Sequence, residues 1–121
     1  MKTYEWSEVV EYLNNNLDKE FDYGNCICRD GENSCLMNSF FKSKGVALKI
    51  VSFDGFIARN NYGEDIAIVE GCPFREIEKI HTNKEGMSLK FGRDIKKRLD
   101  EVMKQIWVEK KKKRKAYENQ N

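Results

Sequence analysis

A chain of 121 residues with 40% hydrophobic, 12% aromatic and 35% charged residues has the makeup of one folded domain, large enough to bury a core without staples. That composition, with a single proline, excludes a disordered or low-complexity polymer. The formal net charge of +2 hides an uneven layout: residues 1–87 carry 10 Lys/Arg against 15 Asp/Glu, whereas residues 88–121 carry 12 against 5.

An acidic body with a basic C-terminal arm points to three partners for the arm: nucleic acid, an acidic protein surface, or the chain's own body. The opening MKTYEWSEVVEY has no apolar run of signal-peptide length, and nothing downstream approaches the ~18 apolar residues of a membrane span. The expectation is a cytoplasmic protein that does not engage membranes, in a reducing compartment where disulfides are disfavoured.

In chain order, the first predicted element is a helix. Trp6, Val9, Val10, Leu13 and Leu17 recur at spacings of three and four, and Thr3 is placed to cap the first turn. From about residue 21 short segments punctuated by Gly, Asp and Asn predict an antiparallel meander of five to six strands. The strands are expected near 25–29, 34–42, 46–53, 56–61 and 65–70, with a sixth, or a helical turn, within 75–81. Asp54-Gly55 reads as a two-residue hairpin loop placing Phe53 opposite Phe56 and Val51 opposite Ala58.

The last element is a long helix over about 93–116. Ile95, Leu99, Val102, Met103, Ile106 and Trp107 form one apolar stripe, and Asp94/Arg98, Asp100/Lys104 and Glu109/Lys113 are favourably ordered i,i+4 pairs. The fold class is therefore α+β: a body over residues 1–92 and an amphipathic helix with a basic tail over 93–121, in a single domain. A helix of roughly 36 Å, at ~1.5 Å per residue, outreaches a small sheet. An uncovered end of the stripe (Leu99, Val102, Met103, Ile106 and Trp107) predicts self-association as a homodimer.

Three of the four cysteines fall in GNCICRDGENSCLMNSFF, residues 24–41. On a hairpin turning at Asp30-Gly31 or over Asp30–Asn33, Cys26, Cys28 and Cys35 share one face. Zinc would need Cys72 or His81, the only histidine, as a fourth ligand, yet no Cys-x2-Cys knuckle is present. Cys26, Cys28, Cys35 and Cys72 are accordingly read as core thiols, with neither metal nor other cofactor. His81, beside Ile and Lys, is read as a surface or edge residue rather than a base, so no catalytic set is complete and the chain is read as a non-enzyme.

Two further groups are candidates for binding. Lys110, Lys111, Lys112, Lys113, Arg114 and Lys115 form a run of six cations suited to phosphate contact without base readout. Arg59, Asn60, Asn61 and Tyr62 form a polar rim at a strand end, suited to a small polar ligand or a partner surface.

The Trp-containing opening helix, TYEWSEVVEYLNNN, leading into brief strands with polar turns resembles small phage-encoded anti-defence proteins. Among these are the sponge proteins that counter Thoeris defence by sequestering nucleotide signals. The likeness is one of pattern over residues 3–81 and carries no functional positions. It implies a non-enzymatic inhibitor, from a phage or mobile element, that captures a host protein or a small nucleotide ligand. The alternative drawn from the residues themselves is a nucleic-acid-binding accessory protein using the basic helix.

Overall fold

A computed structural model describes residues 1–24, 33–46, 52–54, 56–73 and 76–119. The elements run β1 (Lys2–Glu5), α1 (Trp6–Asn14), α2 (Leu36–Ser43), β2 (Ser52–Asp54), β3 (Ile57–Arg59), β4 (Asp65–Glu70), α3 (Ile77–Ile80) and α4 (Gly92–Asn119). The fold is α+β with a long C-terminal helix. The sheet corrects the expected antiparallel meander: among the described residues it has four strands in the order β1-β4-β3-β2, and β1 runs parallel to β4.

The chain's first residues are thus a strand, not the start of a helix. Thr3 pairs with Ile68 inside β1, so it caps nothing. The helix begins instead at Trp6, where the Glu8 carboxylate accepts the Glu5 N–H at 2.8 Å and satisfies a backbone donor at the helix start. Val9 and Leu13 of α1 are fully buried, while Leu17 lies beyond the helix and is exposed.

The largest correction concerns residues 34–42. Their expected strand is α2, in which Leu36, Met37, Asn38, Ser39, Phe40 and Phe41 are all buried. Leu36, Met37, Phe40 and Phe41 recur at helical spacing opposite Asn38, Ser39, Lys42 and Ser43, so the helical period stands in the sequence and the strand expectation overlooked it. Phe40 and Phe41 meet Tyr4 of β1 edge-on, at centroid distances of 5.4 and 6.3 Å. The hairpin that was to align Cys26, Cys28 and Cys35 does not exist at its second arm, because Cys35 sits at the head of α2. Residues 25–29, with Cys26 and Cys28, lie outside the described residues.

Of the remaining expected strands, 65–70 is β4 and 56–61 contracts to β3. The segment 46–53 is described only at Val46 and from Ser52 on, where β2 begins. Within 75–81, Ile77–Ile80 is the helical turn α3 rather than a sixth strand. Each β2 residue pairs two positions further along β3 than in the expected hairpin: Asp54 faces Ile57 and Phe53 faces Ala58 instead of Phe56. A shift of two leaves each side chain on its expected face, and Ala58 and its β4 neighbour Ala67 are both buried in the core.

Helix α4 is tied to the body at its first turn. The Gly92 and Arg93 N–H groups donate to the Lys19 and Leu17 carbonyls, each at 2.8 Å, so a loop supplies acceptors that a helix start lacks. Arg93 also pairs with Asp18. The backbone approaches so closely that a Cβ at Gly92 would overlap the Asn16 carbonyl and sit 3.1 Å from Leu17 Cα. From this anchor Ile95, Leu99 and Val102 descend into the core beside Val9, Leu13 and Ile80.

Gly92→Ala should therefore cost about 1–3 kcal/mol, because backbone rather than a flexible side chain meets the added methyl. Urea denaturation of the two proteins measures it. An unchanged midpoint would show that the 16–19 loop yields to the methyl and that this contact does not anchor α4.

Candidate functional site

Two regions concentrate the candidate residues: the projecting end of α4 and the head of α2. Helix α4 is 28 residues long, about 42 Å at ~1.5 Å per residue. Its burial ends well before its length does. Leu99 and Val102 are core residues and Met103 and Ile106 are half-buried against the core, so four of the five expected self-association residues are engaged within the monomer. Trp107 is the fifth, and it is 62% exposed.

Beyond Ile106 the helix continues to Asn119, roughly 20 Å of projecting rod. Lys111, Lys112, Lys113 and Arg114 are all exposed along it; the side chains of Lys110 and Lys115 lie outside the described residues. Lys111 Nζ stands 4.9 Å from the centroid of the Trp107 ring, a cation over an aromatic face.

The ion pairs of α4 differ from those the sequence predicts. Lys96 pairs with Asp100 at 2.9 Å, and Arg98 pairs with Glu101 at 3.3 Å while donating to the Lys79 carbonyl at 3.1 Å. Packing against α3 draws Arg98 away from Asp94, which shows that a neighbouring element outweighs the few tenths of a kcal/mol in an exposed helical pair. No acidic side chain pairs with Lys111, Lys112 or Lys113 among the described residues. Cations three and four apart on a helix repel one another by about as much as opposite charges attract, and six cations in succession place several such pairs along this run.

At the head of α2 two side chains close the helix. Cys35 Sγ accepts the Asn38 N–H at 3.4 Å, the position an N-cap serine would fill. His81 Nε2 accepts the Leu36 N–H at 3.3 Å. The expectation of a surface or edge histidine is corrected: His81 is 1% exposed, and Tyr23 stacks on its ring at 5.1 Å. Burial lowers its pKa to about 4, so the ring is neutral. With Nε2 accepting, the proton sits on Nδ1, which has no hydrogen-bond partner among the described residues.

A thiol–imidazole relay needs a nucleophile and a ring nitrogen turned toward each other and toward substrate. Here each accepts a backbone N–H of the same helix, and the pair acts as a cap. Cys72 is half-buried, and burial pushes its thiol up to about 12.

The polar rim is committed to its own turn. Asn60 Oδ1 accepts the Tyr62 and Glu64 N–H groups at 3.0 and 3.1 Å, and Arg59 Nε donates to Asp65 at 2.8 Å. Asn61 and Tyr62 stand exposed at the loop tip. Sequence reasoning missed the capping role of Cys35 and the burial of His81. A polar pair, Ser34-Cys35, directly before an apolar run was the available signal for the first. Nothing local signalled the second, because the ring is buried by Tyr23, which lies 58 positions earlier in the chain.

Comparison with protein-family models, with curated proteins and with solved structures returns no match.

The histidine makes the fold acid-sensitive. Its folded pKa of about 4 lies below the ordinary 6.5, so the unfolded chain takes up the proton first as pH falls. The stabilisation is complete above pH ~6.5 and is lost progressively down to pH ~4, about 3 kcal/mol in all. His81→Gln keeps an acceptor for Leu36 N–H but cannot titrate. Thermal melts from pH 7 to 4 should show a clearly steeper fall in Tm for the wild type than for this variant. Parallel curves would remove His81 as the cause.

Proposed function

We propose that this chain is a nucleic-acid-binding accessory protein whose binding element is the projecting half of α4. One observation carries the reading: the helix leaves the core after Ile106 and presents exposed Lys111–Arg114, with no carboxylate paired to the three lysines among the described residues. A phosphate backbone relieves that repulsion, and the release of its condensed counterions supplies the driving force. An acidic protein surface would offer fewer charges along a rod of ~20 Å, whereas a strand presents a phosphate about every 3.4 Å. Such contact is independent of base sequence and weakens as salt rises.

This reading is preferred to capture of a small nucleotide, the role the anti-defence resemblance implies. Small-ligand sites are concave, bury most of the ligand and converge a few polar groups on it. The grooves along α4 are instead open troughs between charged side chains. One of about 250 Å³ is lined by Lys84, Asp94, Lys97, Arg98 and Glu101, and another of about 470 Å³ by Lys104, Glu109 and Lys112.

The triple change Lys111→Glu, Lys113→Glu, Arg114→Glu tests the proposal. Tm should move by no more than a degree or two, because solvated charges contribute little to stability. Affinity for an oligonucleotide, followed by fluorescence anisotropy, should fall more than tenfold at low salt, and the slope of log affinity against log salt should flatten. Binding that survives the reversal intact would show that the arm is not the binding element.

A further inference from the structure

Trp107 is the residue that the charge argument leaves unexplained. It is a large aromatic side chain, 62% exposed, on a part of α4 that no other element covers among the described residues. Its setting is specific. Lys104, Trp107, Lys111 and Arg114 follow spacings of three, four and three, which at ~100° per residue places all four within about 80° of the helix circumference. The row is roughly 15 Å long and lies roughly 120° round the helix from the stripe that packs on the body. Lys111 Nζ covers one face of the ring, at 4.9 Å. The ring is otherwise largely open to solvent.

An aromatic face set in a row of cations fits one class of partner better than others. A duplex supplies phosphates for Lys104, Lys111 and Arg114 but keeps its bases stacked on one another, so the ring gains nothing. A second copy of this chain would bring a like-charged row against this one and repel it. A single strand supplies both components at the right scale: phosphates for the cations, and unstacked bases whose π-faces lie against an aromatic ring whatever their sequence.

We infer that Trp107 is a base-stacking platform, and that the ligand of the α4 arm is single-stranded nucleic acid. The inference rests on the reading of α4 as a nucleic-acid arm and names its substrate class. The ring stacks on one base, the ammonium of Lys111 polarises its far face, and Lys104 and Arg114 hold the backbone on either side. Preference for the single strand then comes from the aromatic contact, while the salt-dependent part of affinity comes from the lysines and would be shared with duplex.

The test uses the full chain with two fluorescent probes, an oligothymidylate of about 20 nucleotides and a duplex of the same length, at moderate salt. The wild type should bind the single strand at least several-fold more tightly than the duplex. Trp107→Ala should lose roughly tenfold or more on the single strand and little on the duplex, and Trp107→Phe should recover most of the loss. Duplex binding that persists in Trp107→Ala also reports that the variant is folded. Equal wild-type affinity for both probes, or equal weakening of both by Trp107→Ala, overturns the inference while leaving the nucleic-acid reading standing. Failure of both probes to bind removes the reading itself, and the inference with it. Light scattering closes the remaining route: a wild-type dimer that Trp107→Ala converts to a folded monomer would assign the ring to a subunit contact and overturn the proposal.

Discussion

The fold depends on the burial of α2 from Leu36 to Phe41. Eight residues long, it places Leu36, Met37, Phe40 and Phe41 at the centre of the core, with β1 and the half-buried face of α1 around them. A helix enclosed this way cannot rely on water to satisfy the N–H groups of its first turn, and an orphaned buried donor costs about 1–3 kcal/mol. Cys35 Sγ and His81 Nε2 supply the missing acceptors. The histidine comes from just after α3, 45 positions from the N–H it receives, so closing the helix also fixes the chain that leads toward α4.

From there the geometry of the arm follows. The segment after His81 folds back on itself, with the Leu89 N–H donating to the His81 carbonyl at 2.7 Å, and delivers Gly92 onto the 16–19 loop. Only a residue without a side chain permits that approach. Once the first turn of α4 is held there, the body can cover the helix for about four turns. The cationic half projects because it has left the core behind, and its charges stay solvated. Separation of an acidic body from a basic rod is thus built from one tight backbone contact and the length of one helix.

Elements whose patterns are set locally were legible. The long period of α4, the start of burial at Ile95 and the six-cation run are all visible in residue spacing, as is β4, whose Ala67 and Val69 alternate with half-buried Ile66 and Ile68. The first strand was not: four residues are too few to show a period, and β1 exists only because β4 lies beside it. The period of α2 was legible in the spacing of Leu36, Met37, Phe40 and Phe41, but the burial of its polar Asn38 and Ser39 was not. The row of Lys104, Trp107, Lys111 and Arg114 stood in the sequence as spacing alone. Which of the stripe's apolar residues remain exposed depended on where the body ends.

By itself, then, the sequence determined the α+β class, the long C-terminal helix and the concentration of positive charge at its end, because these rest on composition and on periodicities within a dozen residues. The tertiary structure decided the parallel edge of the sheet, the burial of Asn38 and Ser39 in α2, the burial of His81 and the exposure of Trp107. Each of these turns on contact between segments distant along the chain. A neighbour's backbone donors, carbonyls and rings there outweigh propensities worth only fractions of a kcal/mol per residue.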